Sequence, residues 1–207
     1  MTVPRGLFVT IEGVDGSGKT TQASKLASWI GDQLGRRVLW TREPGGWGDD
    51  GIREMLLKGG WQGPYTETLL FLADRCEHCA RVIGPALEEG RVVICERYQD
   101  STLAYQAFGS GLGLEDLDRI SSVLALPRPD VTIWLDLGPE EAALRLSSRG
   151  GMDAIESRGM DFFARVRDGY RVLWERDPSR IRRVPADGSP ERVFELIKGE
   201  LVRLLCP

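Results

Sequence analysis

One segment constrains the fold of this chain more than any other. Gly13-Val14-Asp15-Gly16-Ser17-Gly18-Lys19-Thr20 fits the spacing G-x-x-x-x-G-K-[ST], after an apolar run, Leu7–Ile11, and before a helical pattern, Lys19–Leu34. Glycines at this spacing let the backbone curl so that successive N–H groups point inward, and the following helix adds its positive N-terminus. The segment therefore predicts an α/β fold with a site for nucleotide phosphates, and a structural glycine-rich turn is the alternative.

The same segment predicts which side chains touch the nucleotide. Lys19 would reach the β- and γ-phosphates, and the Thr20 hydroxyl would bind Mg²⁺. The predicted nucleotide-binding residues here are Gly13, Asp15, Gly16, Ser17, Gly18, Lys19, Thr20 and Thr21.

Apolar runs alternate with helical patterns along the whole chain, without internal repeats or long linkers. The predicted strands are Leu7–Ile11, Val38–Thr41, Val92–Cys95, Val131–Leu135 and Ile181–Val184. The predicted helices are Lys19–Leu34, Glu67–Glu89, Leu114–Leu124, Glu140–Ser148, Phe162–Glu175 and Glu191–Leu205. Gly-rich or polar loops are expected at Glu43–Gly51, Gly109–Gly113 and Arg149–Gly159. This order predicts one P-loop domain over residues 1–207, with a five-stranded parallel sheet covered by helices on both faces and ligands at the carboxyl ends of the strands.

Composition excludes several classes of protein. The net charge of −4 provides no positive field for a nucleic-acid polymer. No apolar run approaches the roughly 20 residues that cross a bilayer, and residues 1–6 do not resemble a signal segment. We therefore expect a cytoplasmic protein without membrane or nucleic-acid partners.

The run Cys76-Glu77-His78-Cys79 contains two thiols and the only histidine of the chain. A zinc site needs a second pair of ligands, and the remaining cysteines, Cys95 and Cys206, stand alone. The pattern therefore favours small side chains on one helix face over a metal or redox site.

A P-loop occurs in switches, motors and kinases, and the rest of the sequence separates these classes. The chain contains no Asn, so it lacks the N-K-x-D element with which GTP-binding switches read the base. Its 207 residues leave no room for the additional domains of a motor. Arg42 and Arg97 each follow a predicted strand, at the sheet edge that carries the P-loop, where they would clamp a second phosphate. Small-molecule phosphoryl transfer remains.

The motifs GVDGSGKT, TREPGG, LLFLADR, ERYQDSTLAYQ and RPDVTIWLDLGPE together resemble those of the bacterial thymidylate kinases. The similarity extends from Leu7 to about Tyr170, in the family's order and spacing. It implies an enzyme that transfers the γ-phosphate of ATP to dTMP, with Mg²⁺ as cofactor, and a homodimer. Two alternatives remain: a nucleoside monophosphate kinase with another acceptor base, and a nucleotide-binding regulator without turnover.

The resemblance also implies roles for individual residues at the acceptor. Arg42 and Arg97 would bind the dTMP phosphate, and Asp15 would lie near the 3′-hydroxyl. Phe71 would stack on thymine, with Arg75 hydrogen-bonded to the base edge. The remaining implied dTMP-binding residues are Ser101, Thr102 at the pyrimidine N3 and O4, Tyr105 at the 2′ position, and Gln106.

Further implied roles concern the donor and a lid at about residues 149–160. Arg145 would lie against the ATP adenine, and Glu96 would support the metal, although the family most often has Asp there. The variable P-loop positions carry no Arg or Lys, so the catalytic cation must come from elsewhere. Arg149 and Arg158 are the candidates for this task, with Arg149 favoured because it follows the helix that carries Arg145. Together with Lys19 and Arg97, they complete the predicted catalytic set.

Overall fold

The computed structural model describes residues 5–48, 50–63, 65–148 and 154–205. Five parallel strands form one sheet in the order β2-β3-β1-β4-β5. They are β1 Phe8–Glu12, β2 Val38–Arg42, β3 Val92–Glu96, β4 Val131–Asp136 and β5 Ile181–Pro185. The predicted five-stranded parallel sheet is therefore confirmed, with each strand ending one residue later than the sequence pattern indicates.

The central strands are apolar on both faces because helices cover both sides of the sheet. All residues of β1, β3 and β4 are buried, whereas the edge strand β2 is mostly half-exposed or exposed. Successive residues of a strand point to opposite faces. Phe8 packs in a cluster with Ile83 and Leu87, while Val9 belongs to a second, larger cluster with Leu26 and Ile197.

Nine α-helices lie within the described residues. They are α1 Lys19–Ser28, α2 Gly51–Lys58, α3 Thr66–His78, α4 Gly84–Glu88, α5 Gln99–Thr102, α6 Leu114–Leu124, α7 Pro139–Ser147, α8 Met160–Arg176 and α9 Pro190–Leu205. Wider π-helical turns at Trp29–Gln33, Cys79–Ile83 and Leu103–Gly109 continue α1, α3 and α5. None of these helices is both long and apolar enough to span a membrane.

Two helical regions were not predicted from the sequence. Helix α2 has only eight residues, about two turns, so its sequence is too short to show a repeating pattern. The helical stretch from Gln99 to Gly109 is buried around most of its circumference, so it has no polar face to produce a helical period.

The topology brings the ends of three strands together. In the parallel register Ile11 of β1 and Arg42 of β2 both pair with Glu96 of β3. The loops that follow β1, β2 and β3 therefore leave the sheet at one edge, where ligands bind in sheets of this type.

Candidate active site

The P-loop (Gly13–Thr20) connects β1 to α1 in a conformation that requires glycine. Gly13, Gly16 and Gly18 all have positive φ, and a Cβ on Gly13 would lie 2.6 Å from the Leu135 carbonyl oxygen. Lys19 Nζ lies inside this loop, where it donates to the carbonyl oxygens of Gly13 at 2.9 Å and Val14 at 2.8 Å. The ammonium group is therefore directed at the concave side of the loop.

Lys19 is buried, and its surroundings disfavour the charged form. Burial, together with the nearby Arg97 charge, lowers the pKa of Lys19 to about 7. The Ser17 hydroxyl is also buried and has no hydrogen-bond partner within the described residues. An anion bound in this loop would accept the hydrogen bond of the Ser17 hydroxyl and would stabilise the charged form of Lys19.

A cavity of about 260 Å³ opens beside the P-loop. Fifteen of the sequence-predicted residues line it: Asp15, Gly16, Gly18, Lys19, Thr20, Thr21, Arg42, Phe71, Arg75, Glu96, Arg97, Ser101, Thr102, Tyr105 and Gln106. Six further lining residues were not predicted: Glu43, Pro44, Arg53, Leu57, Ile155 and Glu156. Gly13, Ser17, Arg145 and Arg158 lie outside the lining.

Asp15 and Arg97 pair across the cavity. A terminal nitrogen of Arg97 donates to Asp15 Oδ1, and the Tyr105 hydroxyl donates to Asp15 Oδ2 at 2.9 Å. Burial alone would raise the pKa of Asp15, but the charges of Arg97 and Lys19 outweigh it and hold the pKa below its usual value. Arg97 has φ of 63°, a left-handed conformation that is uncommon for a residue with a side chain.

Glu12, the last residue of β1, anchors the segment that follows β3. Its Oε1 accepts the Tyr98 N–H at 2.7 Å, and its Oε2 accepts the hydroxyls of Ser101 at 2.5 Å and Tyr170 at 3.1 Å. Burial, together with the nearby Asp100 charge, raises the pKa of Glu12 to about 7. Sequence reasoning missed Glu12, although a carboxylate in an otherwise apolar strand beside the P-loop was a usable signal.

Arg75 of α3 is held by three hydrogen bonds to two other segments, the loop after β2 and the stretch after β3. Its Nε donates to Glu43 Oε2 at 2.7 Å, and its terminal nitrogens donate to Thr102 Oγ1 and to the Tyr98 carbonyl oxygen, each at 2.9 Å. The side chain is 2% exposed, yet it borders the cavity. Although burial opposes the charge, Glu43 raises the pKa of Arg75. Arg75 is therefore fixed in place without a ligand.

Thr20 and Glu96 supply oxygen ligands of the kind that Mg²⁺ prefers. The Thr20 hydroxyl donates to Glu96 Oε2 at 2.6 Å, and the Trp40 indole N–H donates to Glu96 Oε1 at 2.8 Å. Both Thr20 and Glu96 line the cavity next to Lys19. The two residues therefore fit a magnesium ion bound with the phosphates.

The histidine of α3 and the Cys95 thiol of β3 take part in a different arrangement. His78 Nε2 lies 2.7 Å from Thr41 Oγ1, and His78 Nδ1 lies 3.1 Å from Glu43 Oε1. Ligand atoms of Glu43, His78 and Cys95 lie within 4.8 Å of one another. Both ring nitrogens of His78 already have hydrogen-bond partners, so the contacts favour a structural role over a metal site.

The described part of the lid begins at Ala154, so the predicted residue Arg149 lies outside the described residues. Ala154 N–H donates to the Leu57 carbonyl oxygen at 3.3 Å, which brings Ile155 and Glu156 to the cavity. Arg158 donates instead to Glu67, and to the Ser110 hydroxyl at 3.2 Å. The structure therefore does not bring Arg158 to the P-loop.

Arg145 of α7 lies beside the P-loop on its outer side. It donates to the carbonyl oxygen of Ala186 at 3.1 Å, to Glu141 at 3.0 Å and, at 3.5 Å, to the carbonyl oxygen of Gly16. This position adjoins the loop after β5 rather than the cavity.

Comparisons with known proteins give one consistent result. The family model for thymidylate kinase matches residues 11–197. A thymidylate kinase of Synechococcus sp. (strain JA-3-3Ab) is 43% identical over 202 residues, covering 95% of this chain and 97% of the relative. One from Acinetobacter baumannii (strain AYE) is 39% identical over 193 residues, covering 91% and 96%. The crystal structure of thymidylate kinase from Ehrlichia chaffeensis superimposes with a TM-score of 0.79 at 32% identity, covering 96% of this chain and 99% of that one.

Proposed function

The chain belongs to the thymidylate kinase family, and we propose that its cavity holds dTMP against the transferring phosphate of ATP. The reaction is the ATP-dependent phosphorylation of dTMP to dTDP, a step in nucleotide biosynthesis. One observation carries the assignment of the site: the P-loop lysine, Lys19, shares a cavity with four arginines from other segments, Arg42, Arg53, Arg75 and Arg97.

The P-loop binds the donor phosphates. Phosphate oxygens would replace the Gly13 and Val14 carbonyl oxygens as partners of Lys19 Nζ and would accept the Ser17 hydroxyl. A phosphate beside Lys19 raises its pKa again, because an opposite charge favours the ammonium form. Arg145, next to the loop after β5, lies against the adenine in this proposal.

Thr20 and Glu96 hold Mg²⁺ together with the phosphates of ATP. The ion, when bound, neutralises part of the charge that develops on the phosphoryl oxygens. Glu96 orients the Thr20 hydroxyl by accepting its hydrogen.

The opposite end of the cavity binds dTMP. Arg42 and Arg97 clamp the acceptor phosphate, and Asp15 lies near the 3′-hydroxyl. Phe71 stacks on thymine. Hydrogen bonds to the base edge come from Arg75, Thr102 and Gln106, while Ser101 and Tyr105 border the sugar.

Transfer requires alignment and neutralisation of charge rather than a covalent enzyme intermediate. An oxygen of the dTMP phosphate attacks the γ-phosphorus of ATP, and the bond from that phosphorus to the β–γ bridging oxygen breaks to release ADP. Lys19 and Arg97 neutralise the developing charge. Arg149 or Arg158 adds a third cation when the lid closes and excludes water.

For Arg158 this role requires a change of partner. In the described conformation it is paired with Glu67, and its guanidinium lies 5.0 Å from the centre of the Phe162 ring. Arg158 would have to leave both residues to reach the phosphates.

We further propose that residues 1–207 form one domain and that the enzyme is a cytoplasmic homodimer. Cys76, Cys79 and Cys95 are free thiols, which suits a reducing compartment. Leu69 of α3 and Val123 of α6 are exposed by 56% and 84%, so both helices offer apolar surface to a second copy of the chain.

Release of ADP with a panel of monophosphates tests the function. We expect dTMP to support the fastest release among dTMP, dUMP, dCMP, dGMP and UMP, all at equal concentration with Mg·ATP. A different best acceptor would replace the base assignment. Release that is independent of every monophosphate would overturn the kinase assignment of this cavity.

A further inference from the structure

The carboxylate of Glu96 is held at both oxygens. Trp40 Nε1 donates to Oε1 at 2.8 Å, and the Thr20 hydroxyl donates to Oε2 at 2.6 Å. Trp40 lies on the edge strand β2, where it pairs with Ile94, two residues before Glu96 on the neighbouring strand. Glu96 is therefore its diagonal neighbour on the same face of the sheet.

Trp40 and Thr20 donate to a side chain, Glu96, that is flexible unless both of its oxygens are held. Glutamate has one more rotatable bond than aspartate, so a glutamate carboxylate held at one oxygen alone can still turn about that oxygen and displace the other. The indole ring has a single N–H and accepts no hydrogen bond, so it can only donate to the Glu96 carboxylate. Together, Trp40 and Thr20 restrict Glu96 to one orientation.

This orientation decides which way the Thr20 hydroxyl faces. Its hydrogen is directed at Glu96, so its lone pairs are directed away from the carboxylate. Lone pairs are what a hydroxyl offers to a cation. If Glu96 turned away, Thr20 would lose the acceptor that keeps its oxygen in this position.

We propose that Trp40 is a positioning residue for the Mg²⁺ site, acting through Glu96 on Thr20. The proposal rests on the proposed function, in which Thr20 and Glu96 hold the ion. Trp40 is 42% exposed, so its ring is only partly buried, whereas its N–H group is bonded to the buried carboxylate of Glu96.

Two substitutions separate the N–H group from the ring. Trp40→Phe keeps an aromatic ring and removes the donor. Trp40→Gln removes the ring and keeps an N–H donor the same number of bonds from Cβ. Trp29→Phe is the matched control, because Trp29 packs against Phe194 and does not border the cavity.

The measurement is the dissociation constant of the non-hydrolysable ATP analogue AMP-PNP, by calorimetry, with MgCl₂ and with EDTA. We expect Trp40→Phe to weaken binding about tenfold with Mg²⁺ and to leave the EDTA value unchanged, as for other residues that orient metal ligands. Trp40→Gln should recover most of this loss, and Trp29→Phe should match the wild type in both conditions.

A second background sharpens the test. An aspartate at position 96 is one methylene shorter and would not reach the indole, so Trp40→Phe should have no further effect in Glu96→Asp.

Several outcomes would overturn the proposal. Trp40→Phe and Trp29→Phe could bind AMP-PNP equally well, or Trp40→Phe could lose the same affinity with Mg²⁺ and with EDTA. Trp40→Gln could bind as weakly as Trp40→Phe. The tenfold loss of affinity in Trp40→Phe could also persist in the Glu96→Asp background. Wild-type protein that binds no AMP-PNP in either condition would instead overturn the proposed donor site. Wild-type binding that does not depend on Mg²⁺ would remove the metal site and this inference with it.

Discussion

The two ends of the cavity hold their cations in different ways. At the base end, Arg75 donates to Glu43, Thr102 and the Tyr98 carbonyl oxygen, and all of these partners are buried. At the phosphate end, Lys19 donates to carbonyl oxygens of its own loop, and Arg97 donates to Asp15. The base end is therefore formed before any ligand arrives, whereas the phosphate end must exchange partners when a phosphate binds.

This contrast has an energetic meaning. A preformed base end distinguishes between bases because its donors are already fixed in position, so a base whose edge does not match them loses hydrogen bonds. At the phosphate end, substrate binding only replaces existing partners, so the free energy of ground-state binding is small. More of the interaction with Lys19 and Arg97 can then stabilise the transition state, where charge develops on the phosphoryl group.

The largest effect should come from the phosphate end. Lys19→Met keeps the stem and removes the charge, so kcat should fall by about 10³-fold while the melting temperature stays near the wild-type value. Lys25→Met is the control, because Lys25 lies on the same helix and pairs with Glu191 outside the cavity. Near-normal turnover by Lys19→Met would contradict the P-loop assignment.

The lid arginines should give the next largest effect. A cation that acts on the transition state lowers kcat when it is removed, by about 10²-fold, with little change in KM for ATP. We expect this result for Arg149→Ala, and a smaller loss for Arg158→Ala because Arg158 is paired with Glu67. If both variants keep most of the wild-type kcat at saturating ATP and dTMP, neither is the catalytic cation.

At the base end the loss should be specific to one substrate. Arg75→Lys keeps a charge near Glu43 but loses the fork that reaches Thr102 and Tyr98 together. The kcat/KM for dTMP should fall by an amount equivalent to about 1–3 kcal/mol, while KM for ATP is unchanged. Arg81→Lys on the adjoining exposed turn is the control. Equal losses for both substrates would place Arg75 outside the acceptor pocket.

Glu12 links the two ends and should give the smallest effect, on stability. The folded chain keeps a proton on Glu12 up to about pH 7, whereas the unfolded chain releases it near pH 4.5. The Glu12 contribution to the free energy of unfolding therefore decreases as pH rises from 4.5 to 7. Glutamine does not ionise, so Glu12→Gln does not show this decrease. The free energy of unfolding of the variant, relative to that of the wild type, should therefore rise by about 1–3 kcal/mol between pH 4 and pH 8. Melting curves at both pH values measure it, and a difference independent of pH would contradict a raised pKa.

The sequence was sufficient for the sheet and the P-loop because both leave local signals. Buried parallel strands are continuous apolar runs, such as Val131–Leu135, and the phosphate loop needs glycine at fixed positions. The helical stretch from Gln99 to Gly109 left no such signal, since it is buried on nearly every side.

The residues of the site could be predicted only where they belong to a sequence motif. Leu57 and Ile155 reach the cavity because α2 and the lid meet there, through the Ala154 N–H bond to the Leu57 carbonyl oxygen. That contact depends on the tertiary fold and has no local pattern. The partner of Arg158 is equally non-local, since Glu67 lies 91 residues away in sequence.

Arg97 has a further consequence for how this enzyme can be improved. Its left-handed backbone is a conformation that glycine adopts without cost and that a residue with a Cβ adopts at about 1 kcal/mol or more. Arg97→Gly would relieve that strain and at the same time remove the guanidinium from the phosphate end. The same substitution would leave the Asp15 carboxylate without its cation, so selection for heat resistance and selection for turnover both act to keep the arginine despite its strained backbone.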